Sequence, residues 1–202
     1  VLRLTALAPI LERIDLVQVH FRDHGVPVGE TMSALADLVS ERKVRAVGVC
    51  NFDADDVREA ARALAPLPLA SLQTDYSLLS RGVEDGPLPA AAEVGAGFLA
   101  YSPLAQGLLT GAHGPTRAYA PGDWRASTPL FKKKNRALVH RCISEVVVPI
   151  AREHGATPGQ VAIAWLLAQP GVSAAIVGAS TPAQARENAR AAAIELSPGE
   201  RD

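Results

Sequence analysis

The chain has 202 residues, 48% of them hydrophobic and 20% charged, which is the profile of a soluble globular protein and excludes a disordered or low-complexity chain. The formal net charge is −1 and the one basic run is Lys132-Lys133-Lys134, which reads as a solvated loop and leaves no charged stripe for a nucleic-acid backbone. Gly, Pro or charge interrupts every apolar stretch well short of the roughly 20 residues a membrane-spanning helix needs, so no membrane partner is expected.

The opening segment VLRLTALAPILERID lacks the ordered regions of a signal peptide. With only Cys50 and Cys142, the expectation is a cytoplasmic protein carrying two buried free thiols, with no metal site. The first residue is Val1 rather than Met, and the chain is expected to be a fragment that begins in the middle of a fold.

Short β-like runs alternate with longer helical patterns, the signature of successive βα units and of parallel strands. Ile14 to His20 is the first strand, a nearly continuous apolar run of the kind buried on both faces. Met32, Leu35, Leu38 and Val39 then recur at helical spacing over Met32 to Lys43. A second strand spans Ala46 to Cys50. Asp53 is set as N-cap of the next helix, with Asp55 and Asp56 in its first turn and Val57, Ala60, Ala61 and Leu64 on its inner face.

The third strand is Ala70 to Asp75, followed by a short alanine-rich helix over Pro87 to Val94. The fourth is Gly97 to Ser102, and a loop rich in Gly, Pro, Ser and Thr continues to about Pro129; loops of that length are uncommon unless they bind something or are disordered. A helix over Arg136 to His154 contains Pro149, which should kink or split it. Thr157-Pro158-Gly159-Gln160 is a capping box that starts the next helix. The fifth strand, Ala174 to Val177, leads into a second capping box, Thr181-Pro182-Ala183-Gln184, and a helix to about Ala193. The pattern is therefore α/β in a single domain over residues 1–202. Five βα units fit either an open doubly wound sheet or five-eighths of a closed barrel.

Ligands of such folds sit at the C-terminal ends of the strands, and here those ends are polar: His20, Asn51, Gln73, and Tyr101 with Ser102. The segments IDLVQVH, RAVGVCNF, SLQTDYSLL, FLAYSPLAQGLLTG and IVGASTPAQARENARA together resemble barrel strands four to eight of the aldo/keto reductases, in that family's order and across most of the chain. The resemblance implies a partial TIM (β/α)8 barrel with five of eight βα units present and the N-terminal three absent. No GxGxxG fingerprint supports the doubly wound alternative.

By that resemblance His20 is the active-site histidine that hydrogen-bonds the substrate carbonyl, and Asn51 and Gln73 grip the nicotinamide carboxamide. Cys50 stands where the family usually has Ser. Tyr101 is the aromatic residue under the nicotinamide ring, and Ser102, Leu104, Gln106 and Gly107 follow the pyrophosphate. Gly178, Ala179 and Ser180 form the turn that receives the 2′-phosphate at a helix N-terminus, with Gln184, Glu187 and Asn188 around the adenosine. The implied cofactor is NADP(H) ahead of NAD(H), although the turn carries no Lys or Arg and Arg186 lies at a different helical position.

The implied reaction is reduction of an aldehyde or ketone, a small-molecule carbonyl substrate, to an alcohol. The family's proton-donating Tyr and its Lys and Asp come from the absent units, and Tyr76, Tyr101 and Tyr119 do not stand in the matching motif, so the chain alone is expected to be inactive. The competing reading is a non-catalytic NADP(H)-binding accessory module. Phe21, Trp124 and Phe131 are set as candidates for an apolar substrate wall. Oligomeric state and substrate identity are not legible.

Overall fold

A computed structural model describes residues 13–202. The five strands form one sheet in the order β1-β2-β3-β4-β5, a chain of five successive βα units. The structure divides into two compact units: the described residues through Thr74 with Gly82–Leu99, and Asp75–Arg81 with Ala100–Asp202. Among the described residues no helix is long and apolar enough to cross a membrane.

The first unit holds β1 (Ile14–Val19), α1 (Val28–Ser40), β2 (Val44–Cys50), α2 (Ala54–Leu64), most of β3 (Leu69–Asp75), α3 (Pro87–Glu93) and the start of β4 (Gly97–Tyr101). β1 and β2 are parallel with Val19 opposite Val49, and β2 and β3 are parallel with Cys50 opposite Gln73. A register shift between Val47 and Gly48 bends the second pairing. Val47, Val49 and Leu72 from the strands and Met32, Leu35, Val57, Ala60 and Leu64 from the helices are all buried, the period-2 and period-3.6 faces that make a core.

Three expectations need correction in this unit. β1 is not buried on both faces: among the described residues it pairs with β2 alone, and Leu16 is 37% exposed. α1 begins at Val28, directly after Pro27, because Val28 lies one turn before Met32 on the same buried face; it stops at Ser40 since Arg42, at φ +60, cannot continue it. Ala61 is only half-buried. Asp53 caps α2 as the sequence suggests, its carboxylate accepting from the Asp56 N–H at 2.9 Å. Asp56 itself is buried and ion-paired with Arg22 from the loop after β1.

The second unit contains the end of β4, α4 (Lys133–Cys142), α5 (Val148–Glu153), α6 (Pro158–Leu167), β5 (Val172–Ile176), α7 (Pro182–Arg190) and α8 (Pro198–Arg201). The long segment after β4 is not structureless: 3-10 turns form at Ala105–Thr110, Trp124–Ser127 and Pro129–Phe131. Lys133 and Lys134 open α4 and are not loop residues. The helical run expected to be kinked or split at Pro149 is divided into α4 and α5, with Pro149 in the first turn of α5. A π turn over Ile143–Val147 separates the two, and the junction residues Cys142 and Val147 keep right-handed helical angles, so the missing proline N–H falls where the ladder is already widened.

The Thr157 capping box forms in full. At Thr181 the hydroxyl caps the Gln184 N–H, but the Gln184 side chain reaches past Thr181 to accept from the Ser180 N–H at 2.7 Å, so the reciprocal half is displaced by one residue. Cys142 is exposed and only Cys50 is a buried thiol, because α4 turns its Val139 and Arg136 face inward.

Candidate functional site

The first unit gathers polar groups at the ends of β1, β2 and β3. Successive residues of a strand alternate faces, so Gln18, Gly48 and Ser71, which are register partners across the three strands, form one polar row. Gln18 Nε2 donates to Ser71 Oγ at 3.1 Å across the Gly48 position. One step further along, Cys50 and Gln73 are partners, and Asn51 leaves the strand at φ +56.

That left-handed turn aims the Asn51 side chain back at the strand ends. Its Nδ2 donates to the His20 carbonyl at 3.1 Å and to Cys50 Sγ at 3.2 Å, while its backbone N–H donates to the Gln73 carbonyl at 2.9 Å. Gln73 Nε2 also donates to Cys50 Sγ, at 3.4 Å. Burial pushes the Cys50 thiol above its ordinary range, with the Gln73 hydrogen bond opposing, so the sulfur is a neutral acceptor. His20 is exposed, its ring 4.3 Å from that of Phe21. The structure therefore brings His20, Asn51 and Gln73 together, with Cys50 at the centre.

The second unit holds a cavity of about 840 Å³. Its wall includes Ser102, Leu104, Gln106, Gly107, Gly178, Ala179, Ser180, Gln184, Glu187 and Asn188, which is every residue the sequence assigned to the pyrophosphate, phosphate and adenosine. A cavity of this size lies within the range of cofactor sites. One side is shaped by backbone that few side chains tolerate: Ser102, Ala105, Gln106 and Gly107 all have positive φ. At Gly107, φ +98, a Cβ would lie 2.9 Å from His113 Nε2, so the close approach of this loop to the histidine requires glycine.

The turn before α7 is less open than its sequence suggests. The Ser180 N–H is taken by Gln184 Oε1, the Gln184 N–H by Thr181 Oγ, and the Gly178 carbonyl by Asn188 Nδ2 at 3.2 Å. Glu187 accepts from Thr157 Oγ at 3.0 Å and, through its carbonyl, from Gln160 Nε2 at 2.8 Å, tying α7 to α6. Tyr101 is half-buried and does not line this cavity; its carbonyl accepts from the Tyr76 N–H at 3.2 Å.

Sequence reasoning missed the cations of this cavity. Arg117 and Arg125 both line it, and Arg186 lines a different one. They come from the long segment after β4, where no local pattern marks them. Arg125 is forked onto Asp123, Nη2 to Oδ2 at 2.6 Å and Nε to Oδ1 at 2.9 Å, which holds the Asp123 carboxyl down at about 2. Arg117 donates to the Ala112 carbonyl at 3.1 Å.

Tyr119 has Arg125 at 5.3 Å and Arg136 at 5.0 Å from its ring centroid, and its hydroxyl lies 3.0 Å from His113 Nδ1. Burial, followed by the charges of Arg117, Arg125 and Arg136, lowers the His113 pKa. Of the aromatic residues set aside for substrate, Phe131 is core, 2% exposed against Leu108, Leu109 and Ile143, while Phe21 and Trp124 are 61% and 54% exposed.

Compared with known proteins, residues 10–201 match the model of the aldo/keto reductase family. The chain belongs to the aldo/keto reductase family. This aldo/keto reductase chain is 37% identical over 190 residues to the NADH-specific methylglyoxal reductase of Escherichia coli, covering 93% of this chain and 56% of that protein. It is also 37% identical over 186 residues to the aldo-keto reductase str7 of Strobilurus tenacellus, covering 91% and 54%.

A solved glycerol dehydrogenase of Gluconobacter oxydans superimposes with a TM-score of 0.88 at 32% identity, over 98% of this chain and 58% of its own. The chain thus spans a little over half the length of the relatives it matches, as five βα units of the (β/α)8 barrel.

Proposed function

We propose that this chain is the cofactor-holding portion of a nicotinamide-dependent carbonyl reductase. The observation that carries the reading is the cavity of the second unit, whose wall is made of the residues assigned to the cofactor's phosphates and adenosine from sequence. In this reading Gln106 and Gly107 follow the pyrophosphate, Gln184, Glu187 and Asn188 surround the adenosine, and Gly178, Ala179 and Ser180 address the 2′-phosphate. Arg117 and Arg125 supply the positive charge that the turn before α7 lacks, which supports NADP(H) ahead of NAD(H).

In the first unit, Asn51 and Gln73 orient the carboxamide; Tyr101, which belongs to the second unit, is the aromatic residue assigned to the nicotinamide ring. The bound cofactor would supply the hydride. His20, exposed and bonded through its carbonyl to Asn51, donates a hydrogen bond to the substrate carbonyl oxygen and polarises it. None of the three tyrosines is assigned to deliver the proton: Tyr76 is fully buried against Trp165, the Tyr119 hydroxyl lies 3.0 Å from His113 Nδ1, and Tyr101 is given to the nicotinamide ring. The chain by itself is therefore expected to bind cofactor without turnover.

Titration with NADPH and NADH, followed by fluorescence, tests this. Trp124, exposed and next to Arg125, is the reporter, whereas Trp165 is buried with its indole N–H on the Arg201 carbonyl at 2.8 Å. Saturable quenching, tighter for NADPH and abolished in Arg117→Ala/Arg125→Ala, is the expected result. Failure to bind either dinucleotide at millimolar concentration overturns the proposal.

A further inference from the structure

We infer that Arg136 of α4 is a positioning residue for the cavity of the second unit: it fixes the turn Gly114–Arg117 and so holds the Arg117 guanidinium at the cavity wall. This task rests on the cofactor reading above and goes beyond it, because Arg136 does not itself line the cavity.

Gly114-Pro115-Thr116-Arg117 is a tight turn, closed by the Arg117 N–H donating to the Gly114 carbonyl at 3.1 Å, with Pro115 where its fixed φ suits the turn. The carbonyls at both ends of the turn meet one side chain. Arg136 Nη1 donates to the Gly114 carbonyl at 2.9 Å and to the Arg117 carbonyl at 2.7 Å, across 22 and 19 residues of chain. The same guanidinium lies 5.0 Å from the ring centroid of Tyr119, two residues beyond the turn. The Arg117 side chain folds back to the Ala112 carbonyl at 3.1 Å, and both residues line the cavity. Among the described residues, the hydrogen bonds left to the turn without Arg136 are its own and that of the Arg117 side chain, both local.

Arg136 is otherwise ill suited to its place. Lys133 and Lys134 open α4 just before it, with no acid in the first turn and no side-chain cap, where the helix dipole favours negative charge. Arg136 is 7% exposed, and among the described residues no carboxylate pairs with it. Burying a guanidinium in that setting costs stability that a neutral side chain would not. What a neutral side chain lacks is a fork of donors on a long stem that can reach two carbonyls and an aromatic face together. The direction of Arg117 thus depends on α4, although no residue of α4 lines the cavity.

The test compares the wild-type chain with Arg136→Met, which keeps the stem without the donors, and Arg136→Lys, which restores donors, each also in an Arg117→Ala background. NADPH affinity is measured by fluorescence titration. Without ligand, limited trypsin digestion reports on the turn through the rate of cleavage after Arg117, relative to cleavage after the exposed Arg42 of the first unit.

Arg136→Met is expected to weaken NADPH binding about tenfold, the order of one charge-assisted hydrogen bond, and to add almost nothing once Arg117 is removed. Arg136→Lys should recover part of the loss. Cleavage after Arg117 should rise several-fold in Arg136→Met while cleavage after Arg42 stays the same. Unchanged NADPH affinity in Arg136→Met, or the same fold loss in the Arg117→Ala background, overturns the inference. If Arg136→Met does not fold, Arg136→Gln, too short to hold both carbonyls, is judged by the same criteria. If the wild-type chain does not bind NADPH, the cofactor reading fails and the digestion alone decides: a turn cut no faster in Arg136→Met refutes the positioning role.

Discussion

Gly48→Ala is the sharpest test of how the first unit is built. A Cβ at this position would overlap Ser71 Oγ and stand 2.9 Å from the Ser71 carbonyl oxygen and 3.1 Å from Gln18 Cγ. Relief requires Ser71 to move, yet Ser71 is 4% exposed and accepts the Gln18 hydrogen bond at 3.1 Å. Overpacking of this kind costs about 1–3 kcal/mol, and loss of the hydrogen bond adds about 1 kcal/mol, giving about 2–4 kcal/mol in all. At roughly 2–4 °C per kcal/mol for a chain of this size, the midpoint should fall by something on the order of 5 to 15 °C.

The assay is thermal unfolding followed by circular dichroism, with Ser71→Ala and the double variant alongside. Removing Oγ relieves the worst overlap while the carbonyl contact stays, so the double variant should be less destabilised than the sum of the two singles. A Gly48→Ala chain that melts within a degree of the wild type, or strict additivity in the double variant, would refute the reasoning.

Further tests address the charges. Arg22→Met leaves the Asp56 carboxylate buried without its cation and should lower stability by about 1–3 kcal/mol in urea unfolding, because Arg22 is partly exposed; Arg22→Lys should recover part of it. Hydrogen bonds from Ser197 and then His154 hold the Glu200 carboxyl down to about 2, against an ordinary 4.5. A depressed carboxyl contributes stability that is present above its unfolded pKa and lost as pH falls toward its folded one, so the melting midpoint should drop between pH 4.5 and 2, less so in Glu200→Gln.

His113 is the opposite case of a base whose proton the fold disfavours. The unfolded chain takes up that proton first, so stability should decline as pH falls below 6.5, and His113→Gln should flatten the profile between pH 7 and 5 when midpoints are compared.

What could be read from sequence was what local chemistry decides. Asp53 and Thr157 announce helix starts because a side-chain oxygen three residues before a free N–H is a local arrangement, and both caps form. The same signature at Ser197, with Glu200 three residues on, marks the small α8 turn, which went unread because the apolar period had already ended. Thr181 shows the limit of such motifs: the pattern is present, yet Gln184 found a nearer partner in the Ser180 N–H. The apolar run of β1 suggests burial on both faces because it reports affinity for a neighbour and not its presence; among the described residues β1 pairs with β2 alone and Leu16 is 37% exposed.

The cavity divides along the same line. Gly107 was legible because Gly permits close backbone approach, Gln106 only through the family resemblance, and Gly178 to Ser180 because they precede a helix. Arg117 and Arg125 were not, since a cation in a long irregular segment carries no periodicity and its position depends on what the segment folds against. Here Arg125 sits over Tyr119 and forks onto Asp123, and Tyr119 in turn is held by His113 behind Gly107. Charge selection at this cavity is therefore a tertiary property. With the Arg125 charge already paired to Asp123, Arg117, whose guanidinium donates to the Ala112 carbonyl, is the guanidinium with the larger share of its charge to offer an incoming phosphate. Removing Arg117 should weaken dinucleotide binding more than removing Arg125, and Asp123→Asn should strengthen binding by releasing Arg125; equal losses from the two arginines, measured by titration at one fixed salt concentration, would show that the Asp123 fork does not withhold charge from the cavity.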